Sequence, residues 1–175
     1  MEEKLILSTR KIRKICMMNH SVEHAWWLWT TEQGLRKVFG ANCKMELRPF
    51  GPFEIYFDET EPKGRQGSEG CQILSYLPGE MISFTWNAPV DFEYVRNHAY
   101  KTWIVIQFEK VKSDYTAVTL THTGWPEGEV WDRAYEYFDK AWSRVLKQME
   151  LAKADSINPS SFFIKGTDGS IIEID

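Results

Sequence analysis

Cysteine is scarce in this 175-residue chain: Cys16, Cys43 and Cys71 are odd in number, far apart, and in no CxxC arrangement. That excludes a disulfide framework or a paired-cysteine metal or redox motif, and leaves free, buried thiols in a cytoplasmic protein as the expectation. Long hydrophobic runs are missing too. No stretch reaches membrane-spanning length, and the N-terminus MEEKLILSTRKIRK starts acidic and turns charged after a very short apolar run, unlike a signal peptide. Positive charge is not in excess. With 21 Lys and Arg against 25 Asp and Glu, the net charge of −4 argues against a general nucleic-acid binder or a binder of anionic membranes. No serine sits in a GxSxG elbow and no glycine-rich phosphate loop follows a strand. His20 and His24 stand i, i+4 with Glu23 between them, but this is not HExxH and no third ligand is evident. No metal and no cofactor are therefore expected.

Aromatic residues are abundant, with eight Trp, seven Tyr and ten Phe. Such a composition favours large buried surfaces or an aromatic-walled pocket. The stretch from Gly124 to Lys153 concentrates them. Trp131, Ala134, Tyr135, Phe138, Trp142, Val145, Leu146, Met149 and Ala152 recur at helical spacing and share one side of a wheel. Asp132, Arg133, Glu136, Lys140, Ser143, Arg144 and Lys147 take the other. Pro126 bars helix before it, so a helix from about Glu127 to Lys153 is expected, roughly as long as a small domain is wide.

Upstream the period is mostly two. Leu5 to Met18 reads as a first strand, and a helix opens after Ser21 or Asn19. Thr30 with Gln33 fits a capping box for a second short helix, which Gly40 stops. Strands follow at Cys43–Leu47, Phe53–Phe57, Cys71–Leu77 and Met81–Trp86. The polar loop ETEPKGRQGSEG reads as a solvated face, and Asn87 to His98 as a partly aromatic rim loop. Tyr100–Val111 and Tyr115–Thr123 form a hairpin. With Lys110 and Asp114 flanking its turn, Thr102 would face His122 and Ile104 would face Leu120, giving a face apolar at its centre and polar at one end.

This order predicts one α+β domain of the helix-grip type over residues 1–154. A curved antiparallel sheet wraps a long C-terminal helix, with two short helices after the first strand. Residues 155–175 form a tail in which FFIK and SIIEI flank Gly166–Gly169, an extra hairpin able to pair with an edge strand or with a second copy in a homodimer. Such a sheet and helix often leave a cavity between them.

Five segments in this order, WLWTTEQGLRKVFG, ELRPFGPFEI, GEMISFTW, LTHTGW and EYFDKAWSRVLKQM, resemble the family named for the activator of the Hsp90 ATPase, within the START-like, birch-pollen-allergen-like superfamily. The resemblance covers about residues 5–152. It departs from the family at Val38, where Trp is frequent, and at Phe50-Gly51-Pro52, where paired glycines are usual, both near the expected mouth of the groove. It implies a helix-grip fold, often with a hydrophobic cavity. The function expected is non-enzymatic binding of an apolar or aromatic small molecule. The candidate ligand-binding residues are Phe57, Trp86, Thr102, Ile104, Leu120, His122, Tyr135 and Phe138, with the Trp131–Phe138 end of the helix nearer the opening. Two alternatives stand beside it: a co-chaperone or stress-response domain stimulating a heat-shock protein ATPase, and a cyclase or hydrolase using His122 as base in the same cavity.

Overall fold

The computed structural model describes residues 4–151, together with 164–165 and 171–172. Its elements are β1 (Ile12–Met18), α1 (Val22–Thr30), α2 (Glu32–Phe39), β2 (Asn42–Met45), β3 (Phe53–Tyr56), β4 (Ile73–Leu77), β5 (Met81–Trp86), α3 (Glu93–Asn97), β6 (Thr102–Lys112), β7 (Tyr115–Thr123), α4 (Glu129–Leu151), β8 (Ile164–Lys165) and β9 (Ile171–Ile172). Strands β1, β7, β6, β5 and β4 form, in that order, one antiparallel sheet. The fold is α+β, of helix-grip type.

Alternation fixes which sheet face meets the helix. Ile104, Ile106, Phe108, Val118, Leu120 and His122 all turn inward and are buried. Helix α4 answers with Trp131, Ala134, Phe138, Trp142, Leu146 and Met149, every one buried. Polar ties hold its other flank to β1 and the residues before it. Lys14 pairs with Asp139 at 2.8 Å, Arg10 pairs with Asp132 at 2.6 Å, and the Tyr135 hydroxyl donates to the Lys11 carbonyl at 3.1 Å.

Several expectations are corrected. The first strand begins at Ile12; Ile6 and Ser8 instead bond the backbone of Glu127 and Trp125. Ser21 caps α1, but the cap of α2 is Thr31, whose side chain accepts from Gly34 N–H, because Thr30 is still helical and bonds back to the Trp26 carbonyl. The strands after α2 do not make one six-stranded run. β2 and β3 form a separate two-stranded sheet, joined to β4 only by bonds around Gly51–Phe53 and Cys71–Ile73.

The hairpin register also differs. Ile104 lies opposite His122 and Ile106 opposite Leu120, since a tight Ser113–Asp114 turn closes the strands and a bulge lies between Lys110 and Lys112. Thr102 pairs across to Trp86 instead. A two-residue slip keeps the parity, so the inward face is unchanged. The rim loop contains α3, and the tail hairpin is present as Ile164 opposite Ile172 and Lys165 opposite Ile171; what it pairs with lies outside the described residues.

All three thiols are free and buried. Burial pushes Cys16 up to about 11 and Cys71 up to about 12, so neither is a ready nucleophile. Among the described residues no cluster of three or more His, Cys, Asp or Glu could hold a metal ion, and no helix is long and apolar enough to cross a membrane.

Candidate functional site

A cavity of about 330 Å³ opens between α4, the ends of α2 and β5, and the loops around them. Its floor and walls are aromatic. Phe39 at the end of α2 stacks on Trp86 of β5 with centroids 5.8 Å apart. Trp86 meets Trp142 at 5.2 Å, and Trp142 lies parallel to Phe138 at 6.2 Å. Phe57, just past β3, stands edge-on to Phe39 and is 53% exposed, which makes it the outer lip. From α4 two adjacent stripes face the space: Phe138, Trp142 and Val145 on the inner one, Tyr137, Ala141 and Arg144 on the outer. Ala141 leaves the room that a larger side chain would fill.

The remaining walls come from two loops. Asn87, Ala88, Pro89 and Val90 of the expected rim loop line the cavity, and so do Asp58 and, in the segment expected to be only a solvated face, Glu61, Arg65, Gln66 and Gly67. A buried staple shapes this loop. Arg96 of α3 donates to the carbonyls of Gly64, Gly67 and Ala88, each at 2.7 Å, and pairs with Glu69 at 3.1 Å. Glu69 in turn accepts from the backbone N–H groups of Gly64, Gln66 and Gly67. Burial pushes the Glu69 carboxyl up, but these N–H bonds and the Arg96 guanidinium outweigh it and hold the group below its usual range. Gly67 is glycine of necessity, because a Cβ there would sit 1.8 Å from the Ile55 carbonyl oxygen. Composition hid this loop: its charges look solvated until Arg96, nearly thirty residues on, is seen to collect its carbonyls.

Of the eight candidate ligand-binding residues, the structure brings Phe57, Trp86 and Phe138 together around the cavity. Ile104 and Leu120 are fully buried in the sheet behind and do not line it. Thr102 and His122 are buried too, and bonded to each other, with Thr102 Oγ1 2.7 Å from His122 Nε2. His122 Nδ1 accepts from Trp142 Nε1 at 3.0 Å, so Nε2 carries the proton and donates to Thr102. Both ring nitrogens are committed, and burial alone holds the imidazole well below its ordinary value of 6.5. Tyr135 lies on another flank of α4, under the Arg10 guanidinium at 4.8 Å.

The aromatic cavity opens along Phe138–Val145, whereas Trp131, edge-on to Tyr94, His98 and Tyr100, lines a second recess with Ile6 and Val130. Val38 is fully buried and Phe50 is an exposed turn residue, and neither lines the cavity. Missed altogether were Phe39, read only as the apolar side of α2, and Ala141 and Arg144. Helical spacing carried a signal for the last two, since they sit four and seven residues after Tyr137.

One polar atom in the wall stands out. Trp86 Nε1 is buried without a hydrogen-bond partner among the described residues, an arrangement that costs roughly 1–3 kcal/mol unless a bound acceptor or water meets it.

Solved structures share this fold at low identity. The chain is similar to an HSP90 activator from Plasmodium falciparum, with 16% identity, 81% of this chain and 94% of that one covered, and a TM-score of 0.63. The Aha1 dimer from Colwellia psychrerythraea gives 18% identity, coverage of 81% and 94%, and a TM-score of 0.59. A Mesorhizobium loti protein gives 16%, coverage of 81% and 95%, and 0.63. No curated protein matches the chain in sequence. The family model for activator of Hsp90 ATPase homolog 1-like protein matches residues 19–152, well over half of the chain, and the chain belongs to that family.

Proposed function

We propose that this chain is a non-enzymatic binding module that holds a flat, largely apolar small molecule between α4 and the sheet. The observation that carries the reading is the cavity itself: about 330 Å³, open on one side, and walled by Phe39, Phe57, Trp86, Phe138 and Trp142. That volume is at the small end of ligand pockets, and its walls are of the apolar, aromatic kind such pockets have. Burying about 200 Å² of apolar ligand surface would contribute roughly 5 kcal/mol before association costs. A micromolar complex needs about 8 kcal/mol net, so the ligand must fill the space or add polar contacts. His122 does not act as a base here. It is enclosed, both nitrogens are bonded, and its imidazole resists protonation.

Titration with naphthalene and larger polycyclic probes, followed by tryptophan fluorescence, tests the reading. Saturable quenching is expected, and Trp86→Phe should reduce its amplitude. A panel of flat aromatics that leaves the emission unchanged refutes it.

A second reading, docking on a heat-shock ATPase, is favoured by the likeness to the Plasmodium falciparum activator and by two exposed apolar side chains, Ile15 and Met17, side by side on the outer face of edge strand β1. Stimulation of such an ATPase by the chain, lost in I15D/M17D, would support it. No stimulation at saturating concentration would remove it.

A further inference from the structure

We infer that the ligand of this cavity bears an anionic, acceptor-rich group, a carboxylate or its equivalent, which meets Arg144 at the mouth while the aromatic body lies against Trp86 and Trp142. The inference rests on the reading of the cavity as a ligand site and adds the chemical class of its occupant. Charged side chains at the mouth are nearly all spoken for. Arg96 is neutralised by Glu69 and has four of its five N–H donors taken up, three of them by carbonyls. Arg65 leans on Glu61 at 3.7 Å and Glu93 at 3.9 Å. Asp58 accepts both the N–H and the hydroxyl of Thr60, which helps hold its carboxyl below the usual range.

Arg144 alone among the charged lining residues has no ion pair or hydrogen bond to the described residues. It stands on the outer stripe of α4, one turn beyond Ala141, where the helix leaves space for a ligand body. The one buried side-chain polar atom of the lining that lacks a partner, Trp86 Nε1, is likewise a donor. The unmet demand of the site is therefore for acceptors and negative charge, and a guanidinium meets a carboxylate with two parallel N–H bonds.

The test compares naphthalene carboxylate with naphthalene carboxamide, of nearly equal shape and differing in charge, by calorimetric titration. Wild type should bind the carboxylate roughly threefold to tenfold more tightly, the range between an exposed ion pair and a charge-assisted hydrogen bond. The preference should shrink with added salt. Arg144→Gln should abolish it while leaving carboxamide binding unchanged, and Arg144→Lys should restore part of it. Lys147→Gln removes a charge from α4 outside the lining and should retain the preference. Equal binding of the two probes by wild type, or an equal loss in Lys147→Gln, overturns the inference but leaves the cavity reading intact. Failure of both probes to bind overturns both.

Discussion

His122 should make the fold sensitive to mild acid. In the folded chain the imidazole is buried, donates from Nε2 to Thr102, and accepts at Nδ1 from Trp142. A second proton at Nδ1 would point at the Trp142 N–H, and no charged side chain is hydrogen-bonded to the ring to offset it. Its folded value is therefore held well below 6.5, the ordinary value that the unfolded chain recovers. The sign follows: above about pH 6.5 both states are neutral and the contribution is fully present, whereas below it only the unfolded chain takes up the proton. Stability should then fall by up to about 1.4 kcal/mol per pH unit until the folded value is reached. At about pH 5 the loss reaches at most roughly 2 kcal/mol. Urea denaturation of wild type and of His122→Gln at about pH 8 and about pH 5 isolates the effect, because carboxylate titrations common to both subtract. Wild type should lose more stability than the variant across that interval, by up to roughly 2 kcal/mol. An identical pH dependence in the two proteins would refute the assignment of a buried neutral imidazole.

Other outcomes follow from the same structure. Trp142→Ala removes the ring at the centre of the helix–sheet contact and should cost about 3–5 kcal/mol in denaturant melts, whereas Trp142→Phe, which keeps most of the ring but orphans His122 Nδ1, should cost roughly 1–3 kcal/mol. Glu69→Ala leaves the Arg96 charge buried and frees three backbone N–H groups, so a loss of about 3–5 kcal/mol is expected, with faster proteolysis of the loop between residues 58 and 70. Truncation after Ala154 should leave circular dichroism and cooperative unfolding intact; if the tail pairs two copies, the truncated chain should sediment as a monomer. Loss of folding would place the tail in the core.

The fold was legible because its two periodicities are clean. The apolar stripe from Trp131 to Met149 points inward as its spacing demands, and β6 and β7 alternate along their buried face. Register was not legible to the residue, since a turn of Ser113–Asp114 with an adjacent bulge and a longer turn satisfy the same alternation. The site was only partly legible. Alternation says which strand residues face inward, but not whether they meet another side chain or an open space. Thr102, Ile104, Leu120 and His122 face inward and are buried, whereas Trp86, on the same face of β5, reaches the gap. The loop wall was hidden for a different reason. It is made by one buried arginine gathering carbonyls distant in sequence, which no local pattern encodes.

The most direct test of the central claim is to plug the cavity. Ala141 is half-buried on α4 and faces the space between Trp142 and Tyr137, so Ala141→Phe should place a ring where the ligand body would lie without disturbing the core. Calorimetric titration of both proteins with naphthalene carboxylate should show one saturable site per chain in wild type and none in the variant, with thermal melts that differ little. Equal binding by the plugged variant, or no binding by wild type, would contradict the account.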